Sequence, residues 1–249
     1  DELKRDAGML KLDGEKREVS MLFTDLAGFT TISEELEPEE LHSLLNEYMT
    51  IMTEIIMRHD GMIDKYEGDC IVAIFGAPVA YDEHAIQACL AAVEMTERLP
   101  KLLEKWTLEN KPEPYTKIDA RTGINTGRVV VGNMGSEFLM DYTMIGAEAN
   151  IAARMEGANK PYKTKIMISE STYRQARNHI HARELDRVMV KGSQQPLTVF
   201  EVLGRSETPL PPARAFVMEH FARGLDAYRI QQWDQAETAF DTALSIDPD

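Results

Sequence analysis

Asp25 stands at the end of an apolar run, and small and hydroxyl-bearing residues follow it in residues 23–30, FTDLAGFT. The apolar run at residues 19–23 predicts a β-strand, which places Asp25 where the strand becomes a loop. Backbone N–H groups of such a loop are free to face an anion, and a carboxylate there is a common ligand for a metal ion that meets a phosphate. The same combination of Asp and Gly is also typical of an ordinary turn, so this stretch alone leaves both interpretations open.

A second carboxylate, Asp69, follows Gly68 between two apolar segments, residues 61–67 and 70–76. This pattern predicts two strands joined by a tight turn at Gly68-Asp69. If the hairpin lies beside the first strand, its tip brings Asp69 close to Asp25. Two carboxylates that converge at strand ends, beside an anion-binding loop, suit a nucleotide site with two Mg²⁺ ions.

Three motifs in this order resemble the class III nucleotidyl cyclases. The pattern F-x-D-[ILV]-x-G-F-T matches residues 23–30, and G-x-x-x-K-x-x-G-D matches residues 61–69. A third segment, residues 142–154, is similar to the family's Y-[DT]-x-x-G-x-x-V-N-x-A-[AS]-R. The resemblance covers about residues 17–203, and the ordered set is far more specific than any one motif.

The resemblance assigns roles to the residues of the first two motifs. It implies two divalent cations, Mg²⁺ or Mn²⁺, held by Asp25, Asp69 and the backbone carbonyl of Leu26. It also implies phosphate contacts from backbone amides and from two cationic side chains: Gly28, Phe29, Thr30, Arg121 and Lys191. A lone Arg or Lys more often faces solvent, which is the alternative for the last two residues.

Asn150 and Arg154 are four residues apart in a segment, residues 147–156, that predicts a short helix, so both lie on one face. The resemblance implies that Asn150 orients the ribose and that Arg154 stabilises negative charge at the α-phosphate. The alternative is an amide and a guanidinium on an ordinary solvated helix face.

Lys65 and Thr143 match the two positions that select the purine base in this family. A lysine can donate a hydrogen bond to N1 of adenine, whereas N1 of guanine carries a hydrogen. Threonine can accept from the adenine amino group, and it resembles a subgroup that includes bicarbonate-responsive cyclases. The chain departs from the family at Asp60, where Gly is frequent, and at Ala149, where Val is frequent.

The resemblance therefore implies an adenylyl cyclase that converts ATP to 3′,5′-cyclic AMP and pyrophosphate by attack of the ribose 3′-oxygen on the α-phosphate. In the family each site lies between two subunits of a dimer, here a homodimer. One subunit would supply Asp25 and Asp69, and its partner would supply Lys65, Thr143, Asn150 and Arg154. The alternatives are a guanylyl cyclase, which Lys65 disfavours, and a non-catalytic cyclase-fold module that senses a nucleotide or binds a partner.

The composition excludes some other classes of function. A formal net charge of −15 and a pI near 4.9 argue against a surface for nucleic acid or anionic membranes. The two cysteines, Cys70 and Cys89, lie in apolar surroundings and predict buried thiols in a reducing compartment. With neither a membrane span nor a signal peptide visible, we expect a cytoplasmic domain. The first residue is not Met, so we expect a fragment with a sensor or membrane domain upstream.

Strand-like and helix-like segments alternate in the order βαββαβ, which predicts an α+β, ferredoxin-like core with extensions. We expect strands at residues 117–125 and 128–132, joined around residues 126–127, and a surface loop at residues 111–116. The predicted organisation is an N-terminal arm (residues 1–16), a cyclase domain (17–203), a proline-rich linker (204–212) and a helical fragment (213–249). This fragment matches tetratricopeptide positions at Gly224, Ala236, Phe240, Ala243 and Pro248, which predicts a helical hairpin that binds a protein partner. The alternative is an amphipathic hairpin unrelated to that repeat.

Overall fold

A computed structural model describes residues 14–136, 138–189 and 196–246, and they form an α+β protein. The strands are β1 (Glu15–Ala27), β2 (Gly61–Glu67), β3 (Cys70–Phe75), β4 (Asp119–Gly135), β5 (Met140–Ile145), β6 (Ile166–Ser169), β7 (Ile180–Val188) and β8 (Leu197–Arg205). The helices are α1 (Phe29–Glu35), α2 (Pro38–Arg58), α3 (His84–Leu108), α4 (Glu113–Thr116), α5 (Ala147–Tyr162), α6 (Glu170–Ala176), α7 (Pro212–Arg229) and α8 (Trp233–Leu244). None of the helices in these ranges combines the length and the apolar character needed to span a bilayer.

The strands form one sheet in the order β2-β3-β1-β4-β6-β8-β7, and β5 pairs with β4 as a branch. The four strands β2-β3-β1-β4 are antiparallel to their neighbours, which confirms the predicted ferredoxin-like core. β6 runs parallel to β4. β1 is central, with β3 on one side and β4 on the other, so any side chain at its end is held between two paired strands.

The two faces of the sheet are covered by different helices. Along β1, Leu22 and Leu26 point into the large core formed with α2 and α3. Met21 and Phe23 point to the opposite face, where a smaller core includes Ala152 of α5. Because side chains alternate along a strand, Asp25 belongs to the α5 face of the sheet.

Gly123 allows α5 to lie directly against β4. A Cβ atom at this position would lie 2.2 Å from the amide nitrogen of Glu156 and 2.3 Å from the carbonyl oxygen of Ala152. The helix backbone therefore approaches the strand more closely than any side chain permits. α5 continues to Tyr162, beyond the predicted residues 147–156, and it covers β4 and β6.

Two local predictions are wrong. β4 is one strand of 17 residues rather than two strands broken at residues 126–127, because those residues pair continuously with Ser20 and Val19 of β1. The expected surface loop at residues 111–116 contains the short helix α4. Its Tyr115 is buried, stacks edge-on against Trp106 and donates a hydrogen bond to the carbonyl of Glu40.

The C-terminal residues form a helical hairpin of α7 and α8, as expected. The helices pack closely at Gly224, where a Cβ atom would lie 2.6 Å from the ring of Phe240. The hairpin contacts the outermost strand of the sheet, β7, through an ion pair between Arg229 and Glu184. Pro248, the last of the repeat-like positions, and residues 1–13 of the predicted arm lie outside the described residues.

Candidate active site

The β2–β3 turn reaches the end of β1 and brings two carboxyl groups together. The carboxyl groups of Asp25 and Asp69 lie close enough to interact, and Oδ2 of Asp69 accepts the Leu26 N–H at 3.3 Å. Oδ1 of Asp25 is buried and has no hydrogen-bond partner among the described residues. Burial, the neighbouring Asp69 and the charge of Glu156 raise the pKa of Asp25 to about 7.

This pair offers negatively charged oxygen ligands of the kind that a hard divalent cation prefers. Two adjacent carboxylates repel each other, and no described side chain supplies the unpaired Oδ1 of Asp25 with a positive charge or a donor. The described residues contain no cluster of three or more His, Cys, Asp or Glu side chains that could hold a metal ion. The available donors are two carboxylates and nearby backbone carbonyls. A metal ion held by so few protein ligands leaves positions for substrate oxygens, which is typical of Mg²⁺ in nucleotide enzymes.

Glu156 and Arg121 form a charged pair next to the two aspartates. Arg121 is the cross-strand partner of Asp25, and its Nε lies 3.5 Å from Oε1 of Glu156. Burial raises the pKa of Glu156, and the Arg121 charge opposes this shift. The sequence prediction includes Arg121 but misses Glu156, whose position depends on the contact of α5 with β4. Gly123 is the sequence signal that could have indicated it, because a glycine inside a strand marks a close backbone approach.

The loop after β1 leaves backbone amides free at the start of α1. Gly28 has φ 78°, a left-handed conformation that glycine adopts readily, and its carbonyl accepts from Thr31 and Ile32. The first N–H groups of a helix have no carbonyl partner within it, so the amides of Phe29 and Thr30 are available. The amides that are predicted to bind phosphate therefore lie at the start of α1, directly after the strand β1 that carries Asp25.

Lys65 and Thr143 lie on β2 and β5, two strands that contact each other. The register of β2 against β3 shifts between Ile63 and Lys65, so that Asp64 occupies a bulge. The Asp64 side chain is only 2% exposed, and its Oδ2 lies 3.3 Å from the Lys65 ammonium. Oγ1 of Thr143 is buried without a hydrogen-bond partner in the described part of the chain. Asp64 thus positions the ammonium group of Lys65, and the Thr143 hydroxyl is free to form a hydrogen bond with a ligand.

Asn150 and Arg154 lie on the same exposed face of α5. Neither side chain makes a hydrogen bond or an ion pair with another residue in the described ranges, which distinguishes Arg154 from the paired Arg121. The structure does not bring these two residues into contact with Asp25 or Asp69 of the same chain. Lys191, the predicted contact of the terminal phosphates, lies outside the described residues.

The chain resembles known proteins in both sequence and fold. Residues 13–203 match the family model described as the adenylate and guanylate cyclase catalytic domain. The chain is 38% identical over 189 residues to "Adenylate cyclase 1" of Rhizobium meliloti (strain 1021), an alignment that covers 76% of this chain and 28% of that protein. The chain therefore spans less than a third of the length of this relative.

Solved structures of both kinds of cyclase resemble the fold about equally. The crystal structure of the adenylyl cyclase CyaB from P. aeruginosa is 34% identical, with a TM-score of 0.71, and the match covers 80% of this chain and 100% of that one. The crystal structure of the guanylyl cyclase Cya2 is 36% identical, with a TM-score of 0.70, and covers 79% and 96% of the two chains. Overall similarity therefore does not distinguish an adenylyl cyclase from a guanylyl cyclase, and the choice between these two activities depends on individual side chains.

Proposed function

The chain belongs to the family of adenylate and guanylate cyclase catalytic domains, and we propose that it is an adenylyl cyclase that converts ATP to 3′,5′-cyclic AMP and pyrophosphate. The observation that carries this proposal is the uncompensated pair of Asp25 and Asp69 at the end of β1. Two such carboxylates beside free helix-terminal amides suit a metal-bound triphosphate.

In the proposed reaction the ribose 3′-oxygen bonds to the α-phosphorus, and the bond from this phosphorus to the bridging oxygen of the β-phosphate breaks. The 3′-hydroxyl gives its proton to solvent, and pyrophosphate leaves. Asp25, Asp69 and the Leu26 carbonyl would hold two divalent cations, Mg²⁺ or Mn²⁺. When bound, such cations lower the pKa of the 3′-hydroxyl and neutralise phosphate charge. The chain itself contributes mainly position and charge, as in other phosphoryl transfers.

The remaining predicted residues would orient the nucleotide. The amides of Gly28, Phe29 and Thr30 would face phosphate oxygens, and Lys191 would reach the terminal phosphates. Arg121, whose Nε lies 3.5 Å from Oε1 of Glu156, would contact a further phosphate oxygen when the triphosphate enters.

We propose a homodimer with two equivalent sites, each built from both subunits. The exposed, unpaired Asn150 and Arg154 support this arrangement, because an arginine that stabilises transferring phosphate must be free of intramolecular ion pairs until substrate binds. Arg154 of one subunit would then serve the Asp25–Asp69 pair of its partner. A single chain would have no complete site.

ATP is the favoured substrate because of Lys65 and Thr143. The Lys65 ammonium can donate to N1 of adenine, and the unpartnered Thr143 hydroxyl can accept from the amino group. Guanine would present a hydrogen to a lysine, leaving two donors facing each other. A guanylyl cyclase remains the second candidate, since Cya2 is as similar to this chain as CyaB.

The cellular location of the domain and its place in a longer protein are part of the same proposal. We place it in the cytoplasm, with a sensor domain upstream in a longer protein. Membership of the Thr-type subgroup and a tetratricopeptide-like role for α7 and α8 in binding a protein partner belong to the same proposal. The close helix contact at Gly224 and the ring contact of Tyr228 with Trp233 support the repeat assignment.

The proposal is tested by product analysis after incubation of the purified chain with ATP or GTP and each cation. We expect cyclic AMP, and we expect Asp69→Asn to lower turnover by several orders of magnitude. Asparagine keeps the acceptor for the Leu26 N–H, so this variant removes a charge with little change in shape.

Asp241→Asn is the matched control, because Asp241 is exposed on α8 and lies far along the chain from both motifs. It should leave turnover unchanged. Cyclic nucleotide formation by Asp69→Asn at close to the wild-type rate would refute the site, and cyclic GMP as the main product would refute the choice of substrate.

A further inference from the structure

Asn125 is a buried residue of β4 whose side chain is hydrogen-bonded to the first turn of α5. Its Nδ2 donates to the carbonyl oxygen of Glu148 at 2.9 Å and to Oε2 of the same residue at 2.8 Å. Its Oδ1 lies 3.3 Å from the hydroxyl oxygen of Ser171 on α6. Asn125 is only 1% exposed and pairs with Met21 of the central strand β1, so the sheet fixes the position of this amide.

Gly127 leaves the space that this contact needs. A Cβ atom at position 127 would lie 2.6 Å from Cγ and 2.7 Å from Oε2 of Glu148. The glycine therefore allows the Glu148 side chain to lie against β4, within reach of Asn125, which explains why a glycine stands inside an unbroken strand. In the described ranges, Asn125 is the one residue that donates a hydrogen bond to the Glu148 carboxylate.

The first turn of α5 has few other polar contacts. Gly146, which precedes the helix, has no side chain with which to accept a hydrogen bond from the first helical N–H groups. The apolar contact of this turn with the smaller core comes from a small residue, Ala149. Helix ends fray where their N–H groups lack partners. Among the described residues, the two hydrogen bonds from Asn125 are therefore the main polar restraint on the position of this turn.

Asn150 lies in the same turn, two residues after Glu148. Its side chain is exposed and makes no hydrogen bond within the described ranges, so its position depends on the backbone that carries it. Residues two apart on a helix do not face each other, so Glu148 can contact β4 while Asn150 faces away from it. The contact with Asn125 thus holds the turn without occupying the space in front of Asn150.

We propose that Asn125 is a positioning residue: through Glu148 it holds the first turn of α5, and with it Asn150, in the orientation that the ribose of the substrate requires. This role rests on the proposed cyclase activity, whereas the contact of Asn125 with Glu148 does not. A displacement of about 1 Å at a group that orients substrate can lower turnover by about 100-fold. Because the proposed phosphate and base contacts lie on other elements, the loss should appear in kcat more than in KM.

The first test is Asn125→Asp, which keeps the shape of the side chain, removes both donors and places a second carboxylate beside Glu148. We expect kcat to fall by about 10- to 100-fold and the KM for ATP to change by less than about threefold. In an Asn150→Ala background the same substitution should lower kcat by less than about threefold, because the group that it displaces is already absent. In a Thr143→Ala background, which removes a proposed base contact on β5, it should keep its full effect.

Two substitutions of Glu148 separate positioning from a general loss of folding. Glu148→Gln combined with Asn125→Asp exchanges donor and acceptor, so the double variant should recover most of the lost kcat. Glu148→Ala removes one hydrogen bond without adding a charge, and it replaces Asn125→Asp if urea unfolding shows that this variant does not fold. It should lower kcat by about 3- to 10-fold. Glu170→Ala is the matched control, since Glu170 is an exposed acid in the first turn of α6, and it should leave kcat unchanged.

The contact itself is measured without turnover. In the ¹⁵N-labelled full chain, the side-chain amide signal that disappears in Asn125→Asp belongs to Asn125. Glu148→Ala should shift this signal, and Glu170→Ala should leave it in place. A signal that does not respond to Glu148→Ala would overturn the contact.

Two kinetic outcomes would overturn the positioning role in an active chain: equal losses of kcat in the wild-type and Asn150→Ala backgrounds, or no recovery in the Asn125→Asp, Glu148→Gln double variant. A wild-type chain that forms no cyclic nucleotide under any condition would refute the proposed cyclase, and the catalytic part of this inference with it. The amide signal would still decide whether Asn125 contacts Glu148.

Discussion

Replacing Asp25 with asparagine should make the metal-free protein more stable at alkaline pH while destroying its proposed function. Burial and Asp69 raise the pKa of Asp25 from 3.8 to about 7. The folded state therefore binds a proton that the unfolded state releases between about pH 4 and pH 7, and stability falls as pH rises through this window. Above pH 7 the folded chain carries the full cost of two adjacent charges.

The size of the effect follows from the shift. A change of about three pKa units corresponds to about 4 kcal/mol if fully expressed. Asp25 is only partly buried, so water screens part of this repulsion, and we expect Asp25→Asn to gain about 1–2 kcal/mol at pH 8. For a chain of this size, the melting temperature should rise by about 2–4 °C for each kcal/mol.

The assay is urea unfolding in EDTA from pH 5 to pH 8, with Asp241→Asn as control. The increase in the free energy of unfolding caused by Asp25→Asn should grow with pH, and the control variant should show no such increase. Saturating Mg²⁺ should stabilise the wild type more than the variant, because bound cations relieve the repulsion. A variant that is no more stable than the wild type at pH 8, or a gain independent of pH, would refute the view of these carboxylates as an uncompensated pair.

Three further predictions concern substrate, assembly and packing. The kcat/KM for ATP should exceed that for GTP by about tenfold or more, because one unpaired buried donor costs about 1–3 kcal/mol, and Lys65→Glu should reduce this ratio. Steady-state kinetics measure both values, and equal kcat/KM for the two nucleotides would contradict the prediction. Asp25→Asn and Arg154→Ala chains should each be nearly inactive, but freely exchanging mixtures should recover about a quarter of wild-type activity, since about half of the dimers are mixed and each has one intact site. Proven exchange without recovery would refute the shared site. Gly123→Ala should lower the free energy of unfolding, measured in urea, by about 1–3 kcal/mol or more, because its Cβ would lie 2.2 Å from a backbone atom of α5. Gly157→Ala has open space around it and should raise the free energy of unfolding by about 0.5–1 kcal/mol. Equal effects of the two substitutions would show that α5 yields at this contact.

The meeting of Asp25 and Asp69 could be predicted because it depends on local patterns. Alternating apolar residues define the strands, and Gly68 at φ 65° makes the tight turn that ends with Asp69. A similar local rule applies to Asp60, a departure from the family pattern noted in the sequence, which adopts φ 58°. Aspartate tolerates this left-handed conformation better than most residues, so the departure has no consequence for the turn.

Other features could not be predicted because they depend on contacts between distant segments. The Thr126-Gly127 pair is typical of a turn, but pairing with β1 holds it in an extended strand. Glu156 approaches the site only because α5 rests on Gly123. The bulge at Asp64 that holds Lys65 likewise arises from the shifted register of β2 on β3.

The unbroken length of β4 limits how relatives of this protein can diverge. One strand of 17 residues carries Arg121 in its first half and pairs in its second half with β5, where Thr143 lies. Inserting or deleting one residue between these positions would reverse the side-chain alternation of everything beyond it. Changes of length should therefore accumulate elsewhere during evolution, for example between β5 and β4 at residues 136–139, while the stretch from 119 to 135 keeps a constant length.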